Sequence, residues 1–106
     1  MPKYLFQTSY TAEGVKGLLK EGGSKRRAAA EEVVKSVGGS LEAFYFTFGE
    51  TDAFVIVDLP DNVSGAAISL AINASGALRG KTTVLLTPEE MDAAAQKTVA
   101  YHPPGQ

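Results

Sequence analysis

Residues 41–59 constrain the fold more than any other stretch of this 106-residue chain. They form two strand-like segments, rich in aromatic and β-branched residues, on either side of the tetrapeptide 49–52. The tetrapeptide begins with Gly49 and ends with Asp52, and both residue types favour a tight turn. The stretch therefore predicts an antiparallel β-hairpin. Because each segment carries apolar residues on both sides, neither face of this hairpin is suited to contact with water.

Two further strands and four helices are predicted around the hairpin. Alternation predicts the strands 3–10 and 80–87, and helical spacing predicts the helices 12–20, 25–37, 62–75 and 88–97. We expect Thr11, Ser24, Asp61 and Thr87 to cap the four helices in turn. This order is the ferredoxin-like βαββαβ arrangement, an α+β fold whose four-stranded antiparallel sheet has its helices on one face. We assign residues 1–98 to a single domain and residues 99–106 to a C-terminal tail.

The composition excludes several classes of function. The net charge is −2, from 10 basic and 12 acidic residues, which gives no electrostatic footprint for nucleic acid or for an anionic membrane. There is no cysteine, and the single histidine, His102, lies in a proline-rich tail, so we expect no metal site and no cofactor. No targeting segment or membrane-length apolar run is visible, and the expected location is the cytoplasm.

The two apolar faces of the hairpin predict self-association. We expect the helix-free face of the sheet to pack on a second copy, which gives a homodimer of the dimeric α/β-barrel kind or a larger homo-oligomer built on it. The alternative is that the terminal helix 88–97 folds back over this face. Because side chains alternate along a strand, we expect Leu41 and Tyr45, four positions apart in the first strand of the hairpin, to lie on the same side. The candidate interface residues are Leu5, Tyr45, Phe54, Ile56 and Leu85.

Candidate functional residues lie near the hairpin turn and at the start of the second helix. Asp52 is a candidate base or hydrogen-bond acceptor at the mouth of a pocket, or a turn residue that caps its own backbone. Lys25, Arg26 and Arg27 lie at the start of a helix, where the dipole favours anions. They suggest a carboxylate or phosphate site, or a solvated turn beside acidic neighbours. Tyr10 and Tyr45 offer hydroxyl groups to a ligand, or serve as core or interface aromatics. The candidate ligand-binding residues are Phe6, Tyr10, Lys25, Arg26, Tyr45, Phe46 and Val55.

Short motifs spread over about residues 3–92 match one known family. They are residues 4–7, Tyr10, Thr11, Gly14, Lys25, Arg26, Ala29, 38–41, 44–49, 52–54, 59–61 and 83–88. On these residues the chain resembles the GYD-domain family, small bacterial and archaeal proteins of the dimeric α/β-barrel kind. The resemblance implies a fold and a dimer more than a reaction, because similar folds include monooxygenases, isomerases, decarboxylases and stress-response proteins. Thr51 stands where the family's Gly-Tyr-Asp pattern has tyrosine.

Three functions are compatible with the sequence. The first is binding of a small apolar or aromatic molecule in a cavity between the sheet and the helices. The second is a cofactor-independent enzyme of the monooxygenase or isomerase kind, in which Asp52 moves a proton. The third is a purely structural oligomerisation module. A cavity of about 300 Å³ or more that receives Asp52 favours the enzyme, and a fully packed interior leaves only the third function.

Overall fold

Four strands and four helices make up the computed structural model, which describes residues 1–106. In chain order they are β1 (Lys3–Tyr10), α1 (Ala12–Glu21), α2 (Gly23–Ser36), β2 (Ser40–Phe46), β3 (Ala53–Asp58), α3 (Asn62–Ala74), β4 (Leu78–Leu85) and α4 (Pro88–Ala95). None of these helices combines the length and the apolar character that crossing a bilayer requires. The predicted strand 80–87 begins and ends two residues earlier, because its pairing with β1 extends from Leu85 back to Leu78.

The strands form one antiparallel sheet in the order β2-β3-β1-β4, which confirms the predicted α+β fold and its ferredoxin-like topology. Alternation along the two central strands gives this sheet two different faces. On β1, Tyr4 and Phe6 are buried beneath the helices, and on β3 Val55 and Val57 lie beside them. The residues between these positions point to the opposite side, where no helix of the chain packs.

The hydrophobic core lies between the sheet and the helices α2 and α3. Helix α3 buries Gly65, and each helix contributes one buried apolar side chain, Val34 from α2 and Ile68 from α3. Burying a side chain of this size stabilises the fold by about 1.5–3 kcal/mol. The seven residues of the central cluster are Tyr4, Phe6, Val34, Val55, Val57, Leu59 and Ile68.

Three of the four predicted helix caps are confirmed. Thr11 accepts a hydrogen bond from the backbone of Gly14, Asp61 from that of Ser64, and Thr87 forms a capping box with Glu90. Two hydrogen bonds from Ser64 lower the pKa of the Asp61 carboxyl; the bond from the Ser64 backbone N–H has the larger effect and the bond from its hydroxyl the smaller.

The prediction that Ser24 caps α2 is wrong. One residue, Gly22, both ends α1 and caps α2, so Ser24 already lies inside the first helical turn. Gly22 has a φ of 84°, a left-handed conformation that glycine adopts without steric cost. The start of α2 consequently has no side-chain cap, and its first N–H groups keep unused hydrogen-bonding capacity.

Leu41 also lies on the other side of its strand from the one we predicted. A β-bulge at Glu42 inserts one extra residue into β2, so that Leu41 pairs with Val57 on the helix-covered face. There Leu41 packs against the core. Beside the bulge, the carboxylates of Glu42 and Asp58 each lie 3.0 Å from the ammonium of Lys3. Hydrogen bonds to these two carboxylates raise the pKa of Lys3, and the bond to Asp58 has the larger effect.

The terminal helix does not fold back over the sheet, contrary to the alternative raised above. Every residue from 86 to 106 is exposed. The radius of gyration is 16.8 Å, compared with about 13 Å for a compact chain of 100 residues. The segment therefore extends away from the domain.

Helix α1 closely approaches the segment before β4 at Gly14. A Cβ atom at Gly14 would lie 2.0 Å from the carbonyl oxygen of Ala77, whereas one at Gly17 would meet nothing within 4 Å. We predict that Gly14→Ala destabilises the protein by about 1–3 kcal/mol, because the backbone must move to relieve the overlap. The matched Gly17→Ala should stabilise it by up to about 1 kcal/mol, because alanine favours the helix.

Urea unfolding followed by circular dichroism measures both changes in the free energy of unfolding. Equal effects of the two substitutions would contradict the close packing of α1 against Ala77.

Candidate functional site

A small, partly open cavity lies between the helix-covered face of the sheet and the helices α2 and α3. Water-sized groups can occupy about 60 Å³ of it, and 11 of its 13 lining residues are hydrophobic. We call it the inner cavity. Its lining residues are Phe6, Thr8, Tyr10, Arg26, Ala30, Val33, Val34, Phe44, Val55, Val57, Ile68, Ile72 and Leu78.

A larger and more polar cavity, the outer cavity, adjoins the inner one and opens beside α1. It has a volume of about 250 Å³ and is lined by Tyr10, Glu13, Gly14, Gly17, Leu18, Glu21, Arg26, Ser75, Ala77 and Leu78. Tyr10, Arg26 and Leu78 line both cavities. These three side chains therefore form the boundary between the apolar inner cavity and the more polar outer cavity.

Arg26 is the cation at this boundary. Its side chain is half-buried on the first turn of α2, and it forms no ion pair, whereas its neighbour Arg27 lies 3.9 Å from Glu31. The start of α2 has no side-chain cap, so the guanidinium and the helix dipole both contribute positive potential at the same place. Arg26 is the one cation among the residues that line the two cavities, and the carboxylates of Glu13 and Glu21 line the outer one.

Tyr10 places a phenol beside the Arg26 guanidinium. Burial raises the pKa of the Tyr10 hydroxyl, and the neighbouring Arg26 partly opposes this shift because a cation favours the phenolate. The Tyr10 ring packs edge-on against Phe46, with the ring centroids 6.5 Å apart, and Phe46 in turn contacts Phe44 at 5.0 Å. The hydroxyl is thus neutral at physiological pH and can donate a hydrogen bond next to a cation.

Asp52 joins the hairpin turn to the end of β1. Its carboxylate accepts a hydrogen bond of 2.7 Å from the backbone N–H of Tyr10, and its own N–H donates to the carbonyl of Thr8 at 2.8 Å. Asp52 lines neither cavity. The Asp52 carboxylate therefore fixes the backbone of Tyr10, and the Tyr10 side chain extends from there to the boundary between the two cavities.

The structure brings four of the seven candidate ligand-binding residues to the inner cavity. They are Phe6, Tyr10, Arg26 and Val55. Phe46 lies next to them through its contact with Tyr10, while Lys25 is exposed on α2 and Tyr45 lies on the opposite, helix-free face.

Sequence reasoning missed the outer cavity. The signal was present, because Gly14 and Gly17 remove side chains from one side of a short helix. That signal did not locate the cavity, since the segment that faces them, around Ala77, is about 60 residues away in the chain.

The five candidate interface residues all lie on the helix-free face. Strand pairing places Leu5 beside Ile56, Tyr45 beside Phe54, and Leu85 beside Lys3. Tyr45 is 70% exposed and Phe54 36% exposed, and the other three are half-buried. Apolar side chains therefore lie side by side on β2, β3 and β1, whereas Leu85 on β4 lies beside Lys3.

Residues 4–95 match the family model described as GYD domain. This covers most of the 106-residue chain, and the protein belongs to the GYD-domain family. Comparison with curated proteins gives no match, and comparison with solved structures gives none either.

The position of Asp52 generates a prediction about its role. Asp52→Ala should destabilise the fold by about 1.5–3 kcal/mol, because it removes a hydrogen bond to a charged acceptor at the end of a central strand. Asp52→Asn keeps an oxygen acceptor and should retain more than half of that stability. Thermal and urea unfolding of the two variants measure the difference, and a loss as large in the asparagine variant as in the alanine one would contradict it.

Proposed function

We propose that this protein binds a small carboxylic acid with an apolar or aromatic body. Part of the apolar body occupies the inner cavity, and the carboxylate lies at the boundary between the two cavities. The observation that carries the proposal is the Arg26 side chain, a cation without an ion-pair partner that lines an otherwise apolar cavity. A guanidinium in such a place has the geometry to hold a carboxylate through two hydrogen bonds.

The size of the cavities supports a small ligand. A single water needs roughly 10–15 Å³ of such space, so the inner cavity of about 60 Å³ has room for a few water-sized groups. This is less than the roughly 150 Å³ of a cavity that accepts benzene, so the inner cavity takes part of the apolar body. The rest of the ligand extends into the outer cavity of about 250 Å³. Tyr10 contributes a neutral hydroxyl that donates to the second carboxylate oxygen or to a polar substituent.

Binding is favoured over catalysis by the hydrogen bonding of Asp52. The enzyme hypothesis needs this carboxylate in the pocket, ready to accept a proton from a substrate. Asp52 instead accepts from the backbone of Tyr10 and lines neither cavity.

We also infer that a second copy covers the helix-free face. The apolar patch defined by Leu5, Tyr45, Phe54, Ile56 and Leu85 resembles a protein interface in composition, because aromatic side chains dominate its exposed part. The same patch appears on every copy, so two copies related by a two-fold axis bury each other's aromatic residues. Since the ligand cavity lies on the opposite side of the sheet, the dimer and the ligand site are separate proposals.

The ligand proposal predicts a specific dependence on Arg26. With benzoate as the probe, Arg26→Met should weaken binding at least tenfold, because a charge-assisted hydrogen bond contributes about 1.5–3 kcal/mol. The matched Lys25→Met should change the affinity less than twofold, because Lys25 is exposed and lines no cavity. Benzyl alcohol, which lacks the charge, should be insensitive to both substitutions.

NMR titrations of the three proteins give these affinities and locate the probe. Shifts confined to residues outside the two cavities, or equal effects of Arg26→Met and Lys25→Met on benzoate, would overturn the proposal.

The interface proposal predicts that Phe54→Glu produces a monomer. A carboxylate at the centre of the patch would be buried without a partner, which costs several kcal/mol and should raise the dimer dissociation constant at least 100-fold. Leu19→Glu is the matched control, because Leu19 is an exposed apolar residue, 81% exposed, on the helical side. Sedimentation equilibrium measures both variants, and a wild-type chain that stays monomeric at micromolar concentration refutes the interface.

A further inference from the structure

The C-terminal segment 86–106, which we call the arm, is folded locally and packs on nothing in its own domain. All its residues are exposed. The side-chain hydrogen bonds of the arm join Thr87 to Glu90, and the backbone bonds of its turns also lie within the segment. No ion pair connects it to the rest of the chain.

The sequence of the arm nevertheless encodes a helix and apolar contact groups. Helix α4 begins with a capping box and with proline at its first position, both of which specify its start. An isolated helix of eight residues is marginal in water, so α4 needs a surface to pack against. The large apolar side chains of the arm, each more than half exposed, are Leu86, Met91, Val99 and Tyr101.

The arm carries the whole net charge of the protein. It contains three acidic residues, Glu89, Glu90 and Asp92, and one lysine, Lys97. The remaining residues, 1–85, contain nine acidic and nine basic residues. The surface on which the arm packs should therefore be basic and partly apolar.

The helix-free face of the sheet offers such a surface along its edge strand. Arg79 and Lys81 both point to this face from β4, both are exposed, and neither forms an ion pair. Lys81 pairs with Gln7, which separates it from Phe54 on the same row, and Arg79 pairs with Ser9 at the end of β1. This is the face on which we place the second copy.

We propose that the arm of one copy packs on a second copy of this chain, with the acidic start of α4 against Arg79 and Lys81 of that copy. The inference rests on the proposed homodimer and adds to it a second, charged contact. In a two-fold arrangement each copy gives one arm and receives one, so both pairs of basic residues are neutralised. Since the arm shares no residue with the two cavities, removing it should not affect ligand binding.

Disulfide cross-linking tests the contact directly, because the chain contains no cysteine. One tagged chain carries Asp92→Cys and an untagged chain carries Lys81→Cys. After mixing and mild oxidation, we expect a disulfide-linked pair of tagged and untagged chains. Lys20→Cys replaces Lys81→Cys in the control, since Lys20 is an exposed lysine on α1, and it should give less than a tenth of that product.

The chain that carries both Asp92→Cys and Lys81→Cys separates two arrangements. A cross-linked dimer supports exchange of the arm between copies. A cross-linked monomer shows that the arm folds onto its own chain, and this outcome overturns the proposal. Absence of any product between Asp92→Cys and Lys81→Cys chains overturns it as well.

Removal of residues 88–106 tests the contribution of the arm to assembly. The domain should stay folded, because the arm supplies no core residue, and the dimer dissociation constant should rise at least tenfold. A full-length chain that is dimeric, with a dissociation constant unchanged by the truncation, overturns the arm contact alone. A full-length chain that is monomeric overturns the dimer and the arm together.

Discussion

The packing of one face of β1 and β3 against α2 and α3 is the contact on which the rest of the structure depends. Tyr4 and Phe6 from β1 meet Val55 and Val57 from β3, and Val34 and Ile68 close the layer from above. A shift of either strand by one residue would send the two buried residues of that strand to the other face. The register is therefore fixed by burial, and it determines where the polar residues at the strand ends are held.

The candidate site is a consequence of that register. Tyr10 is the last residue of β1, and the Asp52 carboxylate accepts from its backbone only because β3 pairs with β1 in this register. Of the turn residues, Thr51 contributes through its backbone carbonyl, which accepts a hydrogen bond from the Thr47 hydroxyl. Any residue has this carbonyl, so this hydrogen bond does not depend on the side chain at position 51. The turn thus fixes the backbone of Tyr10, whose side chain lines the same two cavities as Arg26.

Features set by local sequence could be predicted, and features set by distant contacts could not. The element order and the caps at Asp61 and Thr87 follow from residues within a few positions, and so does the separation of Phe54 from Val55 on opposite faces. The bulge at Glu42 depends on pairing with β3, and the loss of the Ser24 cap depends on how α1 ends. The outer cavity depends on where Ala77 meets Gly14, a contact between residues far apart in the chain.

Two kinds of unused interaction capacity remain on this domain, and they lie on opposite sides of the sheet. On the helical side a guanidinium without an ion pair lies between an apolar cavity and a more polar one, the position that we propose for a ligand carboxylate. On the open side there are aromatic residues and, on β4, two cations without an ion pair, which suit a large surface with matching charge. Because the rigid sheet separates them, a substitution at Arg26 changes the first without touching the second. The two proposals can therefore fail independently, and each experiment addresses one side of the sheet.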